Sequence, residues 1–215
     1  MPKITKLMRL LQFGDSMLPV GAFSFSNGLE AAVAQRVVHD AATLRAFVRT
    51  ALDQAAGADG IALLVAHRAA CVSDDVALVA ADHAVLLRKL NEETRTMTLR
   101  MGRKLCELAL QLTRDPTIAR WHAALIACRT PGTLPVALAL AMAAEGMREV
   151  DPFAAHQYGV ATMMLGAALR LMKLSYLDGQ AILHELNADA EVAWDRVAAG
   201  STRWFAPSGP WCARK

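Results

Sequence analysis

Six histidines, four cysteines and two adjacent carboxylate pairs are the side chains through which this 215-residue chain could do chemistry. The histidines, His39, His67, His83, His122, His156 and His184, include no two that stand three or four residues apart, the spacing that sets two imidazoles on one helical face for a metal ion. Cys71, Cys106, Cys128 and Cys212 form no Cys-x-x-Cys pair. Most sit inside apolar helical patterns and read as reduced core residues, with only Cys212 expected at the surface. Asp74-Asp75 and Glu92-Glu93 could serve acid–base work, but each pair falls in the first turn of a predicted helix, where negative charge meets the positive end of the helix dipole. Ser24 and Ser26 have no histidine at a diagnostic local spacing for nucleophilic catalysis. Neither the Gly-x-x-x-x-Gly-Lys-(Ser/Thr) loop nor Gly-x-Gly-x-x-Gly occurs, so a nucleotide is held by neither route.

Two other groupings carry polar or aromatic character. Arg170, Lys173 and Tyr176 recur at three-residue spacing along one side of an otherwise apolar predicted helix, which suits either a solvated face or a patch that receives another protein. The segment 201–215 gathers Trp204, Phe205 and Trp211 among Pro207, Gly209 and Pro210. It reads as an irregular aromatic tail that either folds back on the body or awaits a partner.

The elements that would position these groups are helices. Leu44, Phe47, Val48, Ala51 and Leu52 fall at i, i+3, i+4, i+7 and i+8 behind Asp40 as N-cap. Met97, Met101, Leu105, Leu108 and Leu112 mark the apolar face of a long helix that starts near Asn91. Asp115-Pro116, Thr130-Pro131 and Asp151-Pro152 each place a capping side chain before a proline suited to the first helical position. Residues 131–147 and 152–174 are rich in Ala, Met and Leu nearly all round, as central helices are. Sustained period-two alternation is missing, so the expectation is an all-α, single-domain bundle of roughly eight to ten helices over residues 1–200.

Composition narrows the class of function. A net charge of +3, with the charges dispersed, lacks the basic stripe of a nucleic-acid binder. Hydrophobic residues make up 54% of the chain, yet the apolar runs stay short of the about 18–20 residues that span a bilayer. The surplus is expected to cover partner surfaces or a dimer interface. The first ten residues carry no sustained apolar stretch with a small-residue cleavage site, from which a cytoplasmic location is expected.

One segment breaks the helical character. Residues 18–30 read Leu-Pro-Val-Gly-Ala-Phe-Ser-Phe-Ser-Asn-Gly-Leu-Glu. Pro19 fixes a backbone angle, while Gly21 and Gly28 permit conformations other residues avoid, so the path is expected to bend twice. If extended between the bends, Phe23 and Phe25 share one face, with Ser24 and Ser26 on the other. Two readings stay open: a docking surface, or a loop whose rings plug the bundle and whose serines cap the next helix.

This segment closely resembles the amino-terminal signature of the UreF family of urease accessory proteins, Leu-Pro-x-Gly-(Ala/Ser)-(Phe/Tyr)-Ser-(Phe/Tyr)-Ser-x-Gly-Leu-Glu. Within 82–105, Leu87, Lys89, Glu93, Arg95, Met101, Gly102, Arg103 and Leu105 fall where that family has Glu-x-Arg followed by Met-Gly-Arg-x-Leu. The run from Ala167 through Arg170 and Leu171 to Gly179-Gln180 is similar to its Ala-x-Arg-Leu and Gly-Gln elements. Lys173-Leu174-Ser175-Tyr176 replaces the family's Pro-Leu-Gly-Gln, and the residues from Trp204 to Lys215 replace its His-rich end closing in Arg-Leu-Phe.

The resemblance implies a helical, non-catalytic chaperone in nickel insertion that dimerises, joins UreD (also called UreH), and forms a platform for the GTPase UreG at apo-urease. The residues show no local metal or nucleotide motif, so no cofactor and no metal of its own are expected. Partner contacts would fall on Leu18, Pro19, Gly21, Phe23, Ser24, Phe25, Gly28 and Glu30, on Arg170 toward UreG with Lys173 and Tyr176 as neighbours, and on the tail at Trp204 and Phe205 toward the accessory partner. Two alternatives are a paralogue serving another client and a helical enzyme with a site assembled from distant residues such as His67, His83 and Glu93.

Overall fold

The computed structural model describes residues 3–15, 18–21 and 25–204, the last four by backbone alone. Among them are eleven α-helices: α1 (Lys3–Gly14), α2 (Leu29–Ala34), α3 (Ala41–Ala55), α4 (Ile61–Cys71), α5 (Asp75–Arg88), α6 (Glu92–Thr113), α7 (Pro116–Ile126), α8 (Leu134–Ala144), α9 (Val150–Leu171), α10 (Tyr176–Asn187) and α11 (Ala190–Trp204). A π-helical turn, Ala56–Gly60, carries α3 into α4. The all-helical expectation is borne out. The last helix continues through residues 201–204, and no helix of the described residues is long and apolar enough to cross a membrane.

Local caps start many of these helices. Asp40 accepts the Thr43 amide at 2.8 Å while the Thr43 hydroxyl receives the Asp40 amide, a reciprocal box. Asp74, Asn91 and Asp115 accept amides of the first turns of α5, α6 and α7, and Pro116 follows Asp115 as expected. The other two proline signals behave differently. Thr130 caps nothing, because Gly132 at φ +86 keeps 130–133 as a loop and α8 begins only after Thr133. Asp151 lies inside the first turn of α9, where it accepts the Arg148 amide at 2.8 Å.

The apolar faces close two hydrophobic clusters. The larger surrounds α8, whose residues 135–142 are all buried and which is flanked by α1, α4, α5, α6, α7 and α9. A helix apolar all round requires neighbours on every side, and this one has them. The second gathers Leu29, Leu44, Val48, Met164, Leu183 and Leu186 from α2, α3, α9 and α10. The helix α9 joins the two, with Phe153 in the first and Met164 in the second.

Small residues set the closest helix approach. A Cβ on Gly102 of α6 would lie 2.3 Å from the Gly132 carbonyl oxygen and 2.6 Å from the Leu134 nitrogen. Thr98 and Gly102 are thus the α6 residues shown against the start of α8, and Leu112 is exposed rather than part of the apolar face. The cysteines differ too from a uniform core reading. Cys106 is buried, and burial pushes its thiol up to about 12, whereas Cys71 and Cys128 are exposed. Cys71 ends α4, and Cys128 lies just beyond α7 at φ +54. Cys212 lies outside the described residues.

Candidate functional site

The described parts of 18–30 reach both clusters. Pro19 is exposed, Leu18 packs half-buried on the larger cluster, and Val20 is buried within it. Gly21 and Gly28 adopt φ of +90 and +83, left-handed angles that supply the two expected bends, and Leu29 is buried in the second cluster. Phe25 and Ser26 are half-buried, and Glu30 is exposed in the first turn of α2. No side chain caps α2: Gly28 occupies that position, while the Leu29 amide donates to the backbone carbonyl of Ser26 at 3.1 Å. Phe23 and Ser24 lie outside the described residues, as does Phe205. Trp204 is the last residue of α11.

Arg170, Lys173 and Tyr176 do not share one helix. Ser175 starts α10 through a capping box with Asp178, and α9 ends at Leu171, so Arg170 sits on its last turn, Lys173 in the connection and Tyr176 at the first position of α10. All three are exposed, Tyr176 at 71%, beside exposed Leu169 and Leu177. The turn thus presents an apolar and cationic surface. A second open apolar surface is the outer face of α1, where Ile4, Leu7, Met8 and Leu11 fall at i, i+3, i+4 and i+7. The opposite side of α1 is held to the end of α8 by the Arg9–Glu145 ion pair and by the Lys6 ammonium donating to the Gly146 carbonyl.

Elsewhere in the fold lie two buried polar constellations that sequence reasoning missed. Asp82 of α5, fully buried, accepts the Thr130 hydroxyl at 2.6 Å and the Gly132 amide at 2.7 Å on one oxygen. Its other oxygen accepts the Thr133 amide at 2.8 Å and hydroxyl at 2.5 Å. A carboxylate with four donors is well compensated for burial, and it shapes the loop that Gly102 packs against. The available signal was an aspartate inside the apolar pattern of α5.

The second constellation centres on Asp59 in the π turn. Lys89, at the end of α5, donates to Asp59 Oδ2 at 2.6 Å, and His156 Nε2 of α9 stands 3.6 Å from the same oxygen. Burial works against ionisation of Asp59. The His156 imidazole and the Lys89 ammonium outweigh it and hold the carboxyl below its ordinary value of 3.8. The Lys89 carbonyl in turn accepts Arg95 Nε–H at 2.7 Å, so the resemblance residues Lys89 and Arg95 form a structural latch across the α5–α6 turn. His67, His83 and Glu93 are not drawn into one site: His67 is paired with the Met147 carbonyl, His83 with that of Arg129, and Glu93 is exposed in the first turn of α6.

Replacing Lys89 by methionine is expected to leave the Asp59 carboxylate with His156 but without its ammonium, at a cost of about 1–3 kcal/mol at neutral pH. The sign with pH follows. In the native protein the carboxyl is depressed, so its contribution is complete above 3.8 and lost as pH falls through the folded-state value. Without Lys89 the balance between burial and His156 moves toward the protonated acid, and the variant's deficit shrinks on acidification. Urea midpoints across the carboxylate range check this, and a deficit independent of pH would refute it.

The model of the UreF family matches residues 38–187. This chain belongs to the UreF family. It is 53% identical over 204 residues to "Urease accessory protein UreF 2" of Brucella abortus (strain 2308), an overlap of 95% of this chain and 84% of that protein. To "Urease accessory protein UreF 1" of Brucella melitensis biotype 1 it is again 53% identical, over 95% of this chain and 85% of the relative. To "Urease accessory protein UreF" of Yersinia pestis (strain Pestoides F) it is 49% identical over 194 residues, 90% of this chain and 85% of the relative. The UreF family match spans Asp59, Asp82, Gly102 and the α9–α10 turn, while 18–30 lies ahead of the region matched by the family model.

Proposed function

We propose that this protein is a cytoplasmic, non-catalytic chaperone of urease maturation, which dimerises, joins UreD (UreH) and recruits the GTPase UreG during nickel insertion into apo-urease. The observation that carries this reading is the 53% identity, across 95% of the chain, to proteins named as urease accessory proteins. The surface supports a binding role. The α9–α10 turn offers Leu169, Tyr176 and Leu177 beside Arg170 and Lys173, and α1 offers a second apolar stripe. Residues 18–30, and the aromatic residues Trp204 and Phe205, are proposed as further partner contacts.

Mechanism on this reading is differential affinity. A scaffold that prefers one nucleotide state of its GTPase partner biases that equilibrium, and the partner's state reciprocally changes assembly. Nickel transfer is coupled to hydrolysis through that preference.

The test is co-expression with UreD and UreG of the same organism, followed by size exclusion with light scattering. A stable assembly of all three proteins is expected. Tyr176→Asp should weaken recruitment of UreG and urease activation while preserving helicity, because Tyr176 is 71% exposed and a carboxylate in the first turn of α10 suits the helix dipole. A dimer that ignores both partners would instead identify a paralogue with another client.

A further inference from the structure

His67 and Cys71 stand one turn apart on α4, at the i and i+4 positions that share a helical face. The imidazole is buried, and its Nε2 lies 3.0 Å from the Met147 carbonyl oxygen. A carbonyl can only accept, so that contact requires the ring proton on Nε2 and leaves Nδ1 with a free lone pair. Nδ1 faces Cys71 Sγ at 3.9 Å, and Cys71 is open to solvent. Burial holds the ring's pKa below its ordinary value, and Arg68 adds to this, against the Met147 hydrogen bond and the charges of Glu149 and Asp151. A ring that resists protonation is a poor base for the thiol, but it is the form of imidazole that ligates metals.

We propose that His67 Nδ1 and Cys71 Sγ form a two-ligand site for a borderline divalent cation of the zinc, cobalt or nickel type. Three features fit. Bonds of about 2.0–2.1 Å to nitrogen and about 2.3 Å to sulfur bridge donors 3.9 Å apart at an angle of roughly 130°, so a shift of a few tenths of an ångström makes the pair tetrahedral. The Met147 carbonyl fixes the tautomer as an outer partner of a ligating histidine does. Access is from the Cys71 side, which is exposed. Among the described residues no group of three or more metal-binding side chains forms, and nearby Glu149 is engaged by Arg68 at 2.6 and 3.1 Å, so water completes the coordination. On binding, the thiol proton leaves to bulk water, and a hexahydrated cation that becomes tetrahedral releases four waters, keeping two beside sulfur and nitrogen. The inference is independent of the urease reading, because its test uses the isolated protein.

The full chain, reduced and metal-free, is titrated with Co2+ and then with competing Zn2+. One equivalent is expected to give a thiolate-to-cobalt charge-transfer band, with proton release and displacement by Zn2+. Cys71→Ser should abolish the band, while Cys128→Ser and Cys212→Ser keep it. His67→Gln, whose amide can still donate toward Met147, should weaken binding by about tenfold or more. Because Cys71 is exposed, its variant is expected to keep the native circular dichroism, so that arm decides even if His67→Gln fails to fold. Absence of a thiolate band in the native chain, or its survival in Cys71→Ser, overturns the proposal.

Discussion

Alanine in place of Asp82 is expected to cost on the order of 3–5 kcal/mol, a large share of the 5–15 kcal/mol that stabilises a typical domain. The carboxylate is the acceptor for two backbone amides and two hydroxyls in a place without solvent. Truncation leaves these donors unpaired, and each buried amide left so costs roughly 1–3 kcal/mol. The small cavity adds to the loss. Asp82→Asn retains the volume and one acceptor oxygen, so its deficit should be smaller but still clear. Urea unfolding of the two variants checks the order. A midpoint unchanged in Asp82→Ala would mean that the 130–133 loop has another support.

Gly102→Ala is the second large effect, and here two terms of opposite sign compete. Inside a helix alanine is favoured over glycine by about 1 kcal/mol. At this position the added carbon would stand 2.3 Å from the Gly132 carbonyl oxygen and 2.4 Å from the Thr133 carbonyl carbon. Both are backbone atoms pinned by Asp82, so neither can rotate aside. Relief requires α6 to move off α8, which stretches the 3.2 Å bond from the Leu134 amide to the Thr98 hydroxyl. The clash is expected to outweigh propensity and to reach or exceed the ~1–3 kcal/mol of ordinary overpacking. Gly159→Ala on α9 is the control, since a Cβ there meets nothing within 4 Å. It should be neutral or stabilising by up to about 1 kcal/mol. Thermal melts should therefore place Gly102→Ala below the native protein and Gly159→Ala at or above it, and a Gly102→Ala midpoint at or above the native one would contradict the packing account.

How much of this was legible depends on distance along the chain. Asp40, Asp115 and Ser175 act on amides two or three residues away, so for Asp40 and Asp115 residue type and spacing were enough to find the caps. Thr130 misled for the same reason. Its local pattern matched a cap, but its hydroxyl is used by Asp82, 48 residues earlier. Asp59, Lys89 and His156 come from three separate elements, and nothing local marks them as partners. The α9–α10 patch shows a subtler limit: three-residue spacing placed Arg170 and Tyr176 on one helix, whereas the Ser175–Asp178 box starts a new one between them. His67 and Cys71 did carry a local signal, an i, i+4 spacing, which a search confined to pairs of histidines passes over.

The all-helical class, the positions of most helix starts and, through residues 18–30, 82–105 and 167–180, the likeness to the UreF family were all readable from residue order alone. These depend on periodicity, caps and short motifs, whose interactions close within a turn or are read directly as residue order. It took the packing of distant elements to start α8 after Thr133, to set Gly102 against it, to satisfy Asp82 with amides and hydroxyls of the 130–133 loop, and to pair Asp59 with Lys89. Those outcomes are set by which helices meet, and a buried charge or a missing side chain acquires its meaning only from the atoms brought against it.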